Sequence, residues 1–262
     1  MKILPVCLLF LFVAVPFLNN PSAKKGWVTD LQDPKWEPLF NGTNLDGWYM
    51  VVKDSSFTGT VDEIFAVKED AIHVYPGQEP HSLQTFAGLV TEETYDNYKL
   101  RMEYKWGEKK FRPRHGAVRD AGIIFHMHGK EMIWPYGIEC QIQEGDTGDV
   151  WAIGSKVSST IQDVVRNYDP KGTLTTRGDT LQTFQRFHRS YCWEVPGWNT
   201  IEIHVKENNA VFLVNGKVVN EALDMRYWSK TDTAWEPLTE GKIMIQAEGA
   251  ELFYRNIELQ KL

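Results

Sequence analysis

Cysteine is scarce in this chain. Of three in 262 residues, Cys7 falls in the amino-terminal apolar run, which leaves Cys140 and Cys192. No pair has the close spacing of a zinc site. Cys140 lies on the apolar side of an alternating run, where a buried free thiol is common. Sequence separation fixes no bridge geometry, so a pairing with Cys192 stays open. Also missing is any basic cluster interleaved with aromatics. With 28 Lys and Arg against 35 Asp and Glu, the net charge is −7, which argues against a nucleic-acid partner. No amphipathic pattern runs beyond two helical turns, no segment repeats, and no Pro/Ser-rich linker divides the chain. The one long apolar run, Ile3 to Leu18, contains Pro5 and Pro16 and is short for a spanning helix. With Lys2 before it and Pro21-Ser22-Ala23 after it, residues 1–23 read as a secretory signal. The expected mature protein is exported, periplasmic or secreted, and holds no membrane segment after cleavage.

What is present is apolar and aromatic. Apolar residues make up 42% of the chain, including ten Trp, ten Tyr and thirteen Phe. That load fills a sizeable core and also suits stacking on sugar rings. Short alternating runs separated by turn signals extend from end to end, which predicts an all-β sandwich or barrel with residues 27–262 as one domain. Residues 63–75 read as two strands joined at Glu69-Asp70. In Tyr98 to Trp106, Leu100, Met102, Tyr104 and Trp106 share one side, with Arg101, Glu103 and Lys105 on the other. Residues 107–119 read as a basic loop, either a solvated hairpin or one that presents positive charge beside a site. The stretch from Thr147 to Val195 has strand-like patches and is long enough to be a functional excursion. Trp151 lies in it and is a candidate pocket residue. Asn215-Gly216 is the strongest hairpin turn, and Asp224 to Ser229 reads as a single helical turn.

The chain is organised around Asp120 to Asp146. Two alternating runs are separated by a short polar and Trp-Pro break. In the first, strand periodicity places Ile124, His126 and His128 on one face and Ile123, Phe125 and Met127 on the other. In the second, Glu139, Gln141 and Gln143 oppose Ile138, Cys140 and Ile142. One greasy face and one face of His, Glu and Gln read as half core wall and half binding surface. The plain alternative is a sheet with its polar side in water.

In order along the chain come WEPLFNGTNLDGW, GLVTEETYDNYKLRMEYKW, GIIFHMHG with IECQIQ, WNTIEI with VNGK, and IMIQAEG with YRNIEL. This series resembles the 3-keto-disaccharide hydrolase family, also described as 3-keto-α-glucoside 1,2-lyases and 3-keto-2-hydroxy-glucal hydratases, over nearly the whole mature chain. The resemblance implies a concanavalin A-like jelly-roll sandwich of two antiparallel sheets whose concave sheet binds sugar. It places the family's Glu-x-Gln on Glu139 and Gln141, its Glu-x-Lys/Arg on Glu103 and Lys105, and its carboxy-terminal Gln on Gln246. The chain departs from the family in three places: Asp120-Ala121-Gly122-Ile123 replaces Asn-Ser-Gly-Ile, His126 replaces an Arg, and Glu248 replaces a His.

The implied chemistry removes the proton at C2 beside a 3-keto group, expels the C1 substituent from the enolate, and then adds water. It requires a base, an acid and a group facing the enolate oxygen. His126 or His128 is the expected base, since imidazole titrates near neutrality. Glu139 would orient a histidine or serve as the acid, Lys105 would face the enolate oxygen, and Glu103, Gln141, Gln246, Glu248 and Trp151 would contact a mono- or disaccharide. No cofactor is required. A divalent cation held by His126, His128 and Glu139 is an alternative that uses the same residues. Retaining glycosidase chemistry lacks support, because the Glu-x-Asp-x-x-Glu strand of glucanases on related folds is absent. A non-catalytic carbohydrate-binding module is the competing class, and a structural or lid role comes third.

Overall fold

The computed structural model describes residues 35–179 and 184–262; the expected signal, residues 1–23, lies outside them. Among the described residues, two antiparallel sheets pack face to face in a jelly-roll sandwich. The front sheet runs in the order Phe184–Phe187, Val150–Ile153, Tyr136–Gln143, Asp120–His128, Lys242–Ala247, Ala87–Thr91 and Trp48–Val52. The back sheet is built around Tyr98–Lys110, which pairs with Asn199–Lys206 on one side and Ala250–Lys261 on the other.

Alternation decides which side chains meet between the sheets. Tyr98, Leu100, Met102 and Tyr104 of the back sheet are buried, as are Ile123, Phe125, Ile138, Cys140 and Ile142 of the front sheet, and all join one core. Removing each such aliphatic side chain from water contributes about 1.5–3 kcal/mol. Cys140 is a free thiol in this core, and Cys192 is also free. The turns follow their local chemistry. Asn215 and Gly216 have φ of 49° and 73°, the left-handed pair that a two-residue hairpin needs. Glu69 and Asp70 adopt the same pair between Phe65–Lys68 and Ala71–Val74.

Two local expectations change. Asp224 to Ser229 is not a helical turn but the end of the strand Lys217–Ser229, because its backbone pairs with Lys156–Ile161 and Ala234–Pro237. The Tyr98 strand also runs on to Lys110, four residues into the expected basic loop. Among the described residues, the long excursion after Thr147 contains four strands, of which Phe184–Phe187 forms the edge of the front sheet.

The outer face of the front sheet is itself largely covered. Ile133 and Trp134, from the connection between Asp120–His128 and Tyr136–Gln143, pack there with Phe86, Val90, Ile124, Met127, Ile153 and Met244.

Candidate active site on the front sheet

Cross-strand neighbours share a face, so the register identifies which groups meet. Glu139 lies opposite Ile124 on one side and Trp151 on the other, and Gln141 lies opposite Gly122. Lys242–Ala247 pairs with the other edge of Asp120–His128, with Met244 opposite Ile124. Asp120, Glu139, Gln141, Trp151, Gln246 and Glu248 therefore collect on the outer face, and the three carboxylates are each about 5% exposed.

Arg114 joins them from the loop before Asp120. Its guanidinium binds Asp120 through Nη2 and Glu248 at 2.9 Å through Nη1. The Gln141 amide donates to Asp120 at 2.8 Å, and the Trp134 indole N–H donates to Glu248. The Glu139 carboxylate and the Gln246 side chain crowd the space above Gly122, where any Cβ would collide with both. In addition, the Trp151 indole nitrogen is buried without a hydrogen-bond partner, and the Gln246 amide turns to the Glu139 carboxyl. Buried polar atoms are nearly always satisfied. The unpaired Trp151 indole N–H opposite Glu139 marks a seat for a polar ligand.

The electrostatics raise all three carboxyls. Burial pushes Glu139 well above the usual range, and the charges of Glu248 and Asp120 push it further. Burial, then the Asp120 charge, raises Glu248 to about 7, while Trp134 and Arg114 act in the opposite direction. Burial also raises Asp120, against the pull of Arg114. Both glutamates are thus shifted toward the protonated form, with Glu248 brought into the neutral range, an arrangement suited to paired acid and base roles.

The expected site comes together only in part. Glu139, Gln141, Gln246, Glu248 and Trp151 share one face; His126, His128, Lys105 and Glu103 do not join them. The cause for the histidines is a bulge. Phe125 pairs with Ile138, but the next pair is His128 with Tyr136, so His126 and Met127 together oppose Gly137. His126 takes φ of 49°, and the extra residue inverts the alternation. Met127, expected inward with Ile123 and Phe125, moves to the outer face, while His126 turns inward, fully buried, against Tyr98 and Phe125. Its Nδ1 lies 3.2 Å from the Leu238 carbonyl. His128 faces Tyr136, Tyr227 and Ser155. Burial lowers both imidazoles to about 4.

Glu103 and Lys105 belong to the back sheet and point away from the sandwich. Glu103 binds Arg255 at 2.6 Å, and the Lys105 ammonium lies 4.9 Å from the Phe253 ring. The ligand set His126, His128 and Glu139 therefore does not converge. Among the described residues, no group of three or more His, Cys, Asp and Glu side chains is placed to hold a metal ion.

Sequence reasoning raised the basic run 107–119 as a source of positive charge without singling out Arg114, missed Trp134, and treated Gly122 only as part of a motif. Gly122 carried a usable signal, since glycine inside a strand often marks a close approach. Gly122→Ala should lower kcat/KM at least tenfold by driving a methyl group into Glu139 and Gln246. Gly116→Ala, which meets nothing within 4 Å, is the control. Equal rates in both variants would remove the seat from above Gly122.

Comparison with known proteins agrees with this placement of the fold. No curated protein matches the sequence. Two crystal structures from Parabacteroides distasonis ATCC 8503, each named a "putative glycosyl hydrolase", share the fold. The first is 16% identical with a TM-score of 0.51, covering 87% of this chain and 100% of its own. The second is 18% identical with a TM-score of 0.51, covering 87% and 94%. A β-glucanase from Bacillus licheniformis is 12% identical with a TM-score of 0.42, covering 88% and 99%. The family described as 3-keto-alpha-glucoside-1,2-lyase-like domain matches residues 35–260, so this chain belongs to that carbohydrate-acting family.

Proposed function

We propose that the protein is an exported enzyme that cleaves 3-keto-glycosides by elimination followed by hydration. The observation that carries this reading is the buried pair Glu139 and Glu248, both raised in proton affinity, beside the Gln246 amide and the unpartnered Trp151 indole. Glu248 takes the C2 proton. The electron pair forms the C2–C3 double bond of the enolate and then moves to C1–C2 as the C1–O bond breaks. Protonated Glu139 delivers its proton to the departing oxygen. Arg114 and the Gln246 amide are the groups available to the enolate oxygen. Water then adds across C1–C2, with hydroxide to C1 and a proton to C2, so one water is consumed in net hydrolysis. The two carboxyls exchange roles in that second half. The histidines take no part, because both lie on the inner side of the sheet.

The family match supports the 3-keto sugar as substrate class, and the leader-like residues 1–23 support export. Incubation with a 3-keto-disaccharide tests the reading. Release of 3-keto-glucose, or of the hydroxy-glucal before hydration, is the expected outcome. Binding without either product would make the chain a carbohydrate-binding module instead.

A further inference from the structure

A cleft of about 810 Å³ opens at the end of the sandwich, away from Glu139. The connection Gly129 to Pro135 separates it from the front-sheet site. Met132 of this connection lines both the cleft and the smaller hollow beside Trp134, whose indole in turn holds Glu248. One connection therefore carries the catalytic face on one flank and the cleft on the other.

The cleft walls are aromatic and their polar groups are fixed in place. The His128 ring lies 5.7 Å from that of Tyr136 and 5.6 Å from that of Tyr227, and its Nε2 meets the Ser155 hydroxyl at 2.9 Å. Tyr136 packs directly over Gly154, whose backbone has φ of 53°; a side chain there would displace the ring. Trp228 is braced against Trp235 at 5.5 Å. On the hairpin tip, the Ser229 hydroxyl donates to Asp232 at 2.6 Å and accepts the Asp232 backbone N–H at 3.1 Å. Lys130, Lys230 and Asp232 line the same space, so charges of both signs are present.

Rigid aromatic faces surrounded by hydroxyl, imidazole and mixed charged groups suit a ligand with an apolar ring face and a polar edge. We propose that this cleft is a second saccharide-binding subsite, which holds a neutral sugar unit of the glycan remote from the bond being cleaved. The choice of sugar rests on the function proposed above. The consequence is a preference for longer glycosides, since binding energy gained in the cleft acts on the same substrate.

The test uses the full chain carrying Glu139→Gln, so that binding is read without turnover. Calorimetric titration with sucrose, maltose, cellobiose and trehalose should give millimolar or tighter binding for at least one. Adding Tyr227→Ala should weaken it at least tenfold, and Tyr227→Phe should restore it. A crystal soaked with the best binder should place a sugar ring against Tyr227 and Trp228. Failure of all four sugars to bind, a sugar ring found only beside Gln246, or unchanged affinity in Tyr227→Ala would each overturn the proposal. Because no readout depends on turnover, the cleft can hold sugar even if the 3-keto chemistry is refuted, and the converse also applies.

Discussion

Glu139→Gln is expected to reduce turnover by about 10²–10⁴-fold, the usual contribution of a positioned acid or base, while raising thermal stability at pH 8. The two effects have one source. Glu139 is buried beside Asp120 and Glu248, so its ionised form is penalised in the folded protein. A carboxyl whose folded value is raised binds more protons folded than unfolded, and stability therefore falls as pH rises above the unfolded value. Gln preserves the shape and removes that cost. The melting temperature of the variant should exceed that of the wild type by more at pH 8 than at pH 5. Gln cannot protonate the departing oxygen, so the same change slows the chemistry, a trade between activity and stability seen at many sites. Turnover within threefold of the wild type would remove Glu139 as the acid. A variant less stable at pH 8 than at pH 5, relative to wild type, would refute the electrostatic account.

The fold was legible because periodicity and turn chemistry agreed at each step. Strict alternation in Tyr98 to Tyr104 reports one buried face, and Asn215-Gly216 supplies the two left-handed residues of a hairpin. The carboxylate and amide side of the site was legible for the same reason: Glu139 and Gln141 lie in a stretch where alternation is unbroken. The histidines were misplaced by one residue. A bulge at His126 leaves no mark in the hydrophobic pattern, since Ile124 and Met127 are both apolar and either parity reads as a strand. Glu103 and Lys105 failed differently. Their strand and their face were read correctly, but which sheet a strand joins is a non-local fact, set by pairing between Tyr98–Lys110 and Ala250–Lys261. Arg114 was hidden in a basic run of loop character. Its role depends on two acids, Asp120 and Glu248, of which the second is 134 residues away along the chain.

Arg114→Ala should destabilise the protein by roughly 3 kcal/mol at pH 8, the low end for breaking a buried ion pair. The low end applies because Arg114 is 29% exposed and water can partly replace it, whereas its partners are nearly sealed. Arg114 acts on Asp120 and Glu248 in their charged forms, so its contribution is present above the Glu248 value of about 7 and diminishes as pH falls through it. Urea unfolding at pH 8 and pH 5 should therefore show a distinctly smaller loss at the lower pH. Adding Glu248→Gln should recover part of the loss at pH 8, since one of the two stranded charges is then absent. An equal loss at both pH values would mean that Arg114 acts through packing alone. Turnover should fall too, because without Arg114 the base Glu248 is held protonated to higher pH; the acidic limb of the kcat/KM profile should move upward. An unmoved limb would show that Glu248 is not the group whose ionisation starts the reaction, and would leave the base to be sought among the other acids of this face.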